Sequence, residues 1–163
     1  MIGVDARNVL RVISREEAPG GVGMEPNREV DDLARAVIGS AIDVHRELGP
    51  GYSESVYEEA LAQELFRTGI SFERQKSFKV KFRGCVVGEG RVDLLVDGRL
   101  VVELKAAERL MPVHKSQVIS YLKATSCNLG LLINFNENLL RAGIQRVVFT
   151  HPIEPVLDSS ERI

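Results

Sequence analysis

Cysteine is nearly absent from this 163-residue chain: Cys85 and Cys127 are the only two, and they form no CxxC pair. Four-cysteine zinc and iron–sulfur sites are thereby excluded, and both thiols are expected to be reduced and buried. No apolar run approaches the roughly 20 residues of a membrane-spanning helix, and the N-terminus lacks the apolar segment of a secretory signal. A cytoplasmic protein is the expectation. Excess positive charge is missing too. Lys and Arg number 21 against 23 Asp and Glu, a net charge of −2, which argues against a general polyanion-coating protein but leaves room for a local basic groove. There is no internal repeat, no low-complexity tract, and no H-x-E paired with P-C-x-x-C, so a zinc deaminase is disfavoured. What remains is a chain that is 44% apolar, enough for one core without staples.

The charge is unevenly placed. Residues 1–32 carry a net −3, and the other 131 sum to +1. Residues 1–28 show no sustained period and contain Pro19-Gly20-Gly21, Gly23 and Pro26, so they read as a flexible extension in which Met24 is a second candidate start. Residues 151–163, with Pro152 and Pro155, read as a flexible tail. The folded domain is expected over 29–150. From Val30 to Leu48 apolar residues recur at helical spacing, closed by Gly49-Pro50-Gly51. A second helix should start after Ser53 as N-cap and run to Thr68, with Val56, Tyr57, Ala60, Leu61 and Leu65 facing inward. Then the period changes to two. Strands are expected at Phe78–Phe82, Cys85–Val96 and Arg99–Lys105, a helix at about Val113–Ala124, and strands at Leu129–Phe135 and Gln145–Phe149. The helix between the third and fourth strands makes those two parallel. The fold class is α/β: a mixed sheet of about five strands flanked by helices.

The turn at Asp97-Gly98 carries the most informative inference. Val92, Leu94 and Val96 should share one face, as should Leu100, Val102 and Leu104. For these apolar faces to coincide, paired residue numbers must sum to an even number, because a one-residue slip reverses every side chain. A two-residue turn would give an odd sum. A three-residue connection with left-handed Gly98 is therefore expected. Asp93, Glu103 and Lys105 then gather on the opposite face. Such a group is either a partly buried salt bridge or a site for a hard divalent cation with a lysine beside the water it activates.

Further segments bear on that choice. Gly51-Tyr52-Ser53-Glu54-Ser55-Val56-Tyr57 reads G-x-x-E-x-x-Y. With Ile42–Gly51 before it, Arg91–Lys105 after it, Leu110–His114 and Leu131–Phe135, it closely resembles the GxxExxY proteins of the PD-(D/E)xK nuclease-like superfamily, over about Val30–Val148. The resemblance implies a restriction-endonuclease-like core and phosphodiester hydrolysis, in DNA before RNA, with Mg²⁺ as cofactor and Mn²⁺ able to substitute. It assigns Asp93 and Glu103 as metal ligands, helped by the Leu104 carbonyl, Lys105 as the catalytic lysine, and Glu54 as the helix-borne acid completing the cluster. Gln117 and Tyr121 match a Q-x-x-x-Y helix, and at i and i+4 they share one face. Val92 stands where the superfamily's name has proline, a position where proline is commonly absent.

A nuclease must also hold its substrate. Arg74, Lys76, Lys79 and Lys81 lie in a basic stretch from Arg67 to Arg83 whose single acid is Glu73; this stretch either follows a phosphate backbone or is an ordinary charged strand face. His114, one turn before Gln117, is a further candidate for substrate contact. Glu58 and Glu59 are expected to be solvated, and Tyr52 and Tyr57 to pack. A homodimer suits a small enzyme that must address two strands. The competing readings are a non-catalytic nucleic-acid-binding module and a partner-binding adaptor on the same scaffold.

Overall fold

The computed structural model describes residues 26–152. Most of the two expected flexible ends, and Met24, lie outside the described residues. Helix α1 (Arg28–Leu48) begins where the Asn27 side chain accepts the Val30 N–H at 3.0 Å, with Glu29 and Asp31 in the first turn, where the helix dipole favours negative charge. It ends at Gly49, whose φ of 67° turns the chain. Helix α2 (Glu54–Arg67) follows. Ser53 occupies the N-cap position, but its hydroxyl pairs with that of Ser55 at 2.9 Å and caps no backbone N–H.

Tyr57 fastens the corner between these helices. Its ring is fully buried and stacks on Phe135 at 4.5 Å. Its hydroxyl donates to the Gly49 carbonyl at 2.6 Å and accepts the Tyr52 N–H at 3.1 Å. Tyr57→Phe keeps the stacking and loses both bonds; a loss of about 1–3 kcal/mol is expected, read as a lower urea midpoint at unchanged slope. Leu61 and Leu65 face inward with Tyr57 as anticipated, but Val56 is exposed, while Glu58 and Ala62 are buried.

Strands β1 (Phe72–Phe82), β2 (Cys85–Val96), β3 (Leu100–Lys105), β4 (Leu129–Asn134) and β5 (Ile144–Val148) form one sheet in that order. Helix α3 (Pro112–Thr125) joins β3 to β4, and these two are parallel; the other pairs are antiparallel. The β2–β3 register pairs Leu94 with Val102, Leu95 with Val101 and Val96 with Leu100. The paired numbers sum to an even number across a three-residue turn, as the apolar faces required. Gly98 has a φ of 64°, and Asp97 adopts a left-handed conformation as well, with a φ of 50°.

Helices α1 and α2 cover one face of the sheet, over Leu94, Val96, Leu100, Val102, Leu104, Leu129, Leu131 and Ile133. Helix α3 covers the other, where Val118 and Leu122 meet Leu95, Val101, Leu132 and Val147. The molecule is thus an α/β protein with a mixed five-stranded sheet and three helices, consistent with a restriction-endonuclease-like core. Among the described residues no helix is long and apolar enough to cross a membrane.

Several local expectations are overturned. Val92 packs in the α3 cluster and not with Leu94 and Val96. Strand β1 starts at Phe72, six residues early, because polar residues paired with β2 conceal its period. A 3-10 turn at Leu140–Gly143 was not foreseen. Cys127 is buried, but Cys85 is exposed next to the hairpin turn.

Candidate active site

The site begins where β2 leaves β3. Their ladder stops at Leu94 and Val102, and the next residue, Asp93, turns its carboxylate into the opening. One oxygen, Oδ2, accepts the Leu104 N–H at 2.8 Å, a backbone donor at the ladder's end; the other, Oδ1, accepts from Gln75 Nε2 at 3.2 Å. Gln75 itself holds a left-handed φ of 48°, a strained conformation for a residue with a side chain. The β1–β2 ladder skips this position, running from Arg74–Leu94 to Lys76–Val92. The left-handed backbone at Gln75 and the missing Gln75–Asp93 pairing mark a local irregularity where Val92 and Leu94 fall in opposite cores.

On β3, Glu103 is only 4% exposed. Its Oε1 accepts from Lys105 Nζ at 3.1 Å, whereas its Oε2 is buried with no hydrogen-bond partner. Burial, reinforced by the charge of Asp93, raises the Glu103 pKa to about 7, against the opposing pull of Lys105 and of the Asp93 backbone N–H. Burial also lifts Asp93 above the usual aspartate value, although the Leu104 N–H and Gln75 work the other way. Burial opposes the Lys105 ammonium, but Glu103, Glu54 and Asp93 outweigh it and hold its pKa above that of an ordinary lysine. The result is a group of two carboxylates, one lysine and one unsatisfied oxygen.

From α3, Gln117 donates to the Tyr121 hydroxyl at 2.6 Å. Burial and the nearby Glu103 charge both raise the Tyr121 pKa, which places this hydroxyl within the electrostatic reach of the group. The end of β3 is clamped by Asn134 on β4, fully buried, whose amide bonds both the N–H and the carbonyl of Ala107 at 3.0 and 2.9 Å. The Lys105 carbonyl is held by the Phe135 N–H at 2.8 Å.

Other residues singled out from sequence fall differently. Glu54 is exposed at the first position of α2 and touches the group only through its charge on Lys105. Among the described residues, no three His, Cys, Asp or Glu side chains come together as a metal cluster, so Glu54 does not join Asp93 and Glu103 in a three-acid group. Glu58, expected in solvent, is buried and accepts from Arg74 at 3.0 Å and Gln75 at 2.7 Å. Its negative charge nearby also raises the Asp93 pKa. The spacing Glu58, Leu61, Ala62, Leu65 places it on the buried stripe, a signal that was available in the sequence. Gln75 and Asn134 carried no comparable signal.

The basic candidates divide. Arg74 is neutralised by Glu58 and Glu59, and Lys76 by Glu73. Lys79 and Lys81 are exposed and make no ion pair among the described residues. His114, third residue of α3, accepts the Met111 N–H through Nδ1 at 3.0 Å, and so serves the helix start.

Comparison with known proteins adds three findings. No curated protein matches the chain. A solved structure titled "Crystal structure of SSO0001" is similar at 20% identity with a TM-score of 0.45, over 77% of this chain and 60% of that one. This chain therefore spans about three-fifths of that structure's length. The family model for the PD-(D/E)XK nuclease superfamily matches residues 31–147, from the first turn of α1 to the end of β5. By that match, which takes in Asp93, Glu103 and Lys105 in their order on β2 and β3, the chain belongs to the PD-(D/E)XK nuclease superfamily.

Proposed function

We propose that this protein is a metal-dependent nuclease of the GxxExxY type that hydrolyses phosphodiester bonds in DNA. The observation that carries the reading is the buried, partnerless Oε2 of Glu103 beside a second half-buried carboxylate. An orphaned anionic oxygen is destabilising unless something fills its coordination. Asp93, Glu103 and the Leu104 carbonyl supply only hard oxygen donors, the set that suits Mg²⁺, with Mn²⁺ as a substitute. Bound there, the ion would furnish an activated water at neutral pH and offset charge on the phosphate.

The remaining work falls to side chains. Lys105, kept protonated by Glu103, Glu54 and Asp93, donates to the attacking water or to a non-bridging phosphate oxygen. Glu54 acts by holding that ammonium's charge. Gln117 and Tyr121, bonded to each other, orient the substrate or Lys105. Gln75, bridging Glu58 and Asp93, fixes the Asp93 rotamer. A non-catalytic binding module, the alternative, has no use for one buried and one half-buried carboxylate where phosphate would lie.

Labelled single-stranded, duplex and branched DNA, and RNA, should be incubated with the protein in Mg²⁺, Mn²⁺ or EDTA. Cleavage of DNA in either metal and none in EDTA is expected; cleavage indifferent to EDTA would refute the mechanism. Lys105→Ala should lower the rate about a hundredfold or more, the loss of about 3 kcal/mol of transition-state stabilisation, with Mn²⁺ affinity retained.

A further inference from the structure

We propose that the outer half of the β1–β2 hairpin is an arm that lies in the major groove of duplex DNA and holds it across the site, an inference that rests on the nuclease reading above. Every residue from 79 to 89 is exposed, so the ribbon leaves the core with neither face covered. It nevertheless carries large apolar side chains: Val80, Phe82, Val86 and Val87 are 42–62% exposed. An isolated two-stranded ribbon is marginal in water, and apolar groups on both its faces imply something that packs there.

The arm is rooted at the site. Phe78 packs edge-on against Tyr121 at 5.1 Å, the partner of Gln117. The Phe78 ring also lies over Gly90, where an added Cβ would sit 2.3 Å from a ring carbon. Gly90→Ala should therefore displace the ring and loosen the arm's root. From Asp93 the eight residues to Cys85 extend roughly 26 Å, about eight base pairs of B-form duplex.

Charge identifies the occupant. Residues 76–91 hold five basic residues and one acid, in a chain of net −2. Lys79, Lys81, Arg83 and Arg91 make no ion pair among the described residues, in contrast to the neutralised Arg74 at the hairpin's inner end. Two copies of so basic an arm would repel each other, whereas phosphates would not. The B-form major groove admits a two-stranded ribbon and offers thymine methyl groups to apolar side chains; the A-form groove of duplex RNA is too deep and narrow.

The test uses the full chain with Asp93→Asn and fluorescence anisotropy on a labelled duplex of about three helical turns, with the same sequence as single strand and as duplex RNA. Duplex DNA should bind at least about tenfold tighter than either. Adding Lys79→Gln, Lys81→Gln and Arg83→Gln should lower duplex affinity at least about tenfold and reduce the salt slope by about three. Melting should change little, since the two lysines make no ion pair among the described residues and Arg83 only covers the exposed Phe82 ring at 5.3 Å, and Lys79→Arg with Lys81→Arg should retain binding. Undiminished affinity in the triple variant, or duplex RNA bound as tightly, overturns the arm. So does a dimer, seen in sedimentation, that Phe82→Ala dissolves without altering DNA affinity. Arm-dependent binding by wild-type protein that never cleaves in Mg²⁺ would instead sink the nuclease reading alone.

Discussion

Asp93→Asn is expected to reduce Mg²⁺-dependent DNA cleavage by about a thousandfold or more while leaving the fold in place. The size follows from the several kcal/mol a correctly placed cation contributes to a phosphoryl transition state, of which about 4 kcal/mol corresponds to a factor of about a thousand. Asparagine is the informative replacement. Its carbonyl oxygen can still accept the Leu104 N–H that Asp93 accepts at 2.8 Å, so the β2–β3 opening keeps its main anchor, and the charge is lost together with the weaker 3.2 Å bond from Gln75. Alanine would also strand that N–H, at about 1–3 kcal/mol, and mix a folding defect with a catalytic one. Initial rates at saturating Mg²⁺, with circular dichroism and melting on the same preparations, separate the two. A variant that folds and still cleaves at wild-type rate would remove Asp93 from the chemistry.

In EDTA, the folded protein should lose stability as pH rises from about 4.5 to about 7. Glu103 is the cause. Below its unfolded pKa of 4.5 the carboxyl is protonated in both states; above it, the unfolded chain releases a proton that the folded chain retains until about pH 7. A folded pKa raised in this way favours folding at low pH and is lost as pH climbs through the window. A shift from 4.5 to about 7 amounts to about 3 kcal/mol. Asp93, raised in the same direction, adds to it. Urea midpoints at pH 5, 6, 7 and 8 should show the decline in wild type and a shallower one in Glu103→Gln. Excess Mg²⁺ should flatten the wild-type curve, because a cation stabilises the ionised form. Equal slopes in the two proteins would mean that Glu103 is not the buried acid described.

Much of this architecture was legible because it follows from periodicity. The even-sum register of the β2–β3 hairpin came from a single requirement, that Leu94 and Val96 face the same core as Leu100 and Val102, and the structure pairs them so. The same rule failed at Val92, two residues away. Alternation assumes a regular strand, and the irregularity at Gln75 and Asp93 is a tertiary event with no period of its own. Asp93, Glu103 and Lys105 could be brought near one another from spacing, and the structure does so through hydrogen bonds and charge. Gln75 could not, since its contact depends on a strained backbone. Glu58 departs from expectation for a different reason: its charge argues for solvent, but its place on the Leu61–Leu65 stripe buries it. The division of the basic residues was also beyond the sequence, because Arg74 finds its carboxylates on another element, α2.

The shared cation site of Asp93 and Glu103 is tested most directly by calorimetric titration of Mn²⁺, then Mg²⁺, into wild-type protein, Asp93→Asn and Glu103→Gln at pH 8. The account predicts saturable binding by wild type that weakens at least about tenfold in each variant, with Glu54→Gln much less affected. Binding that neither substitution disturbs, or no binding to the wild type at millimolar metal, would contradict it.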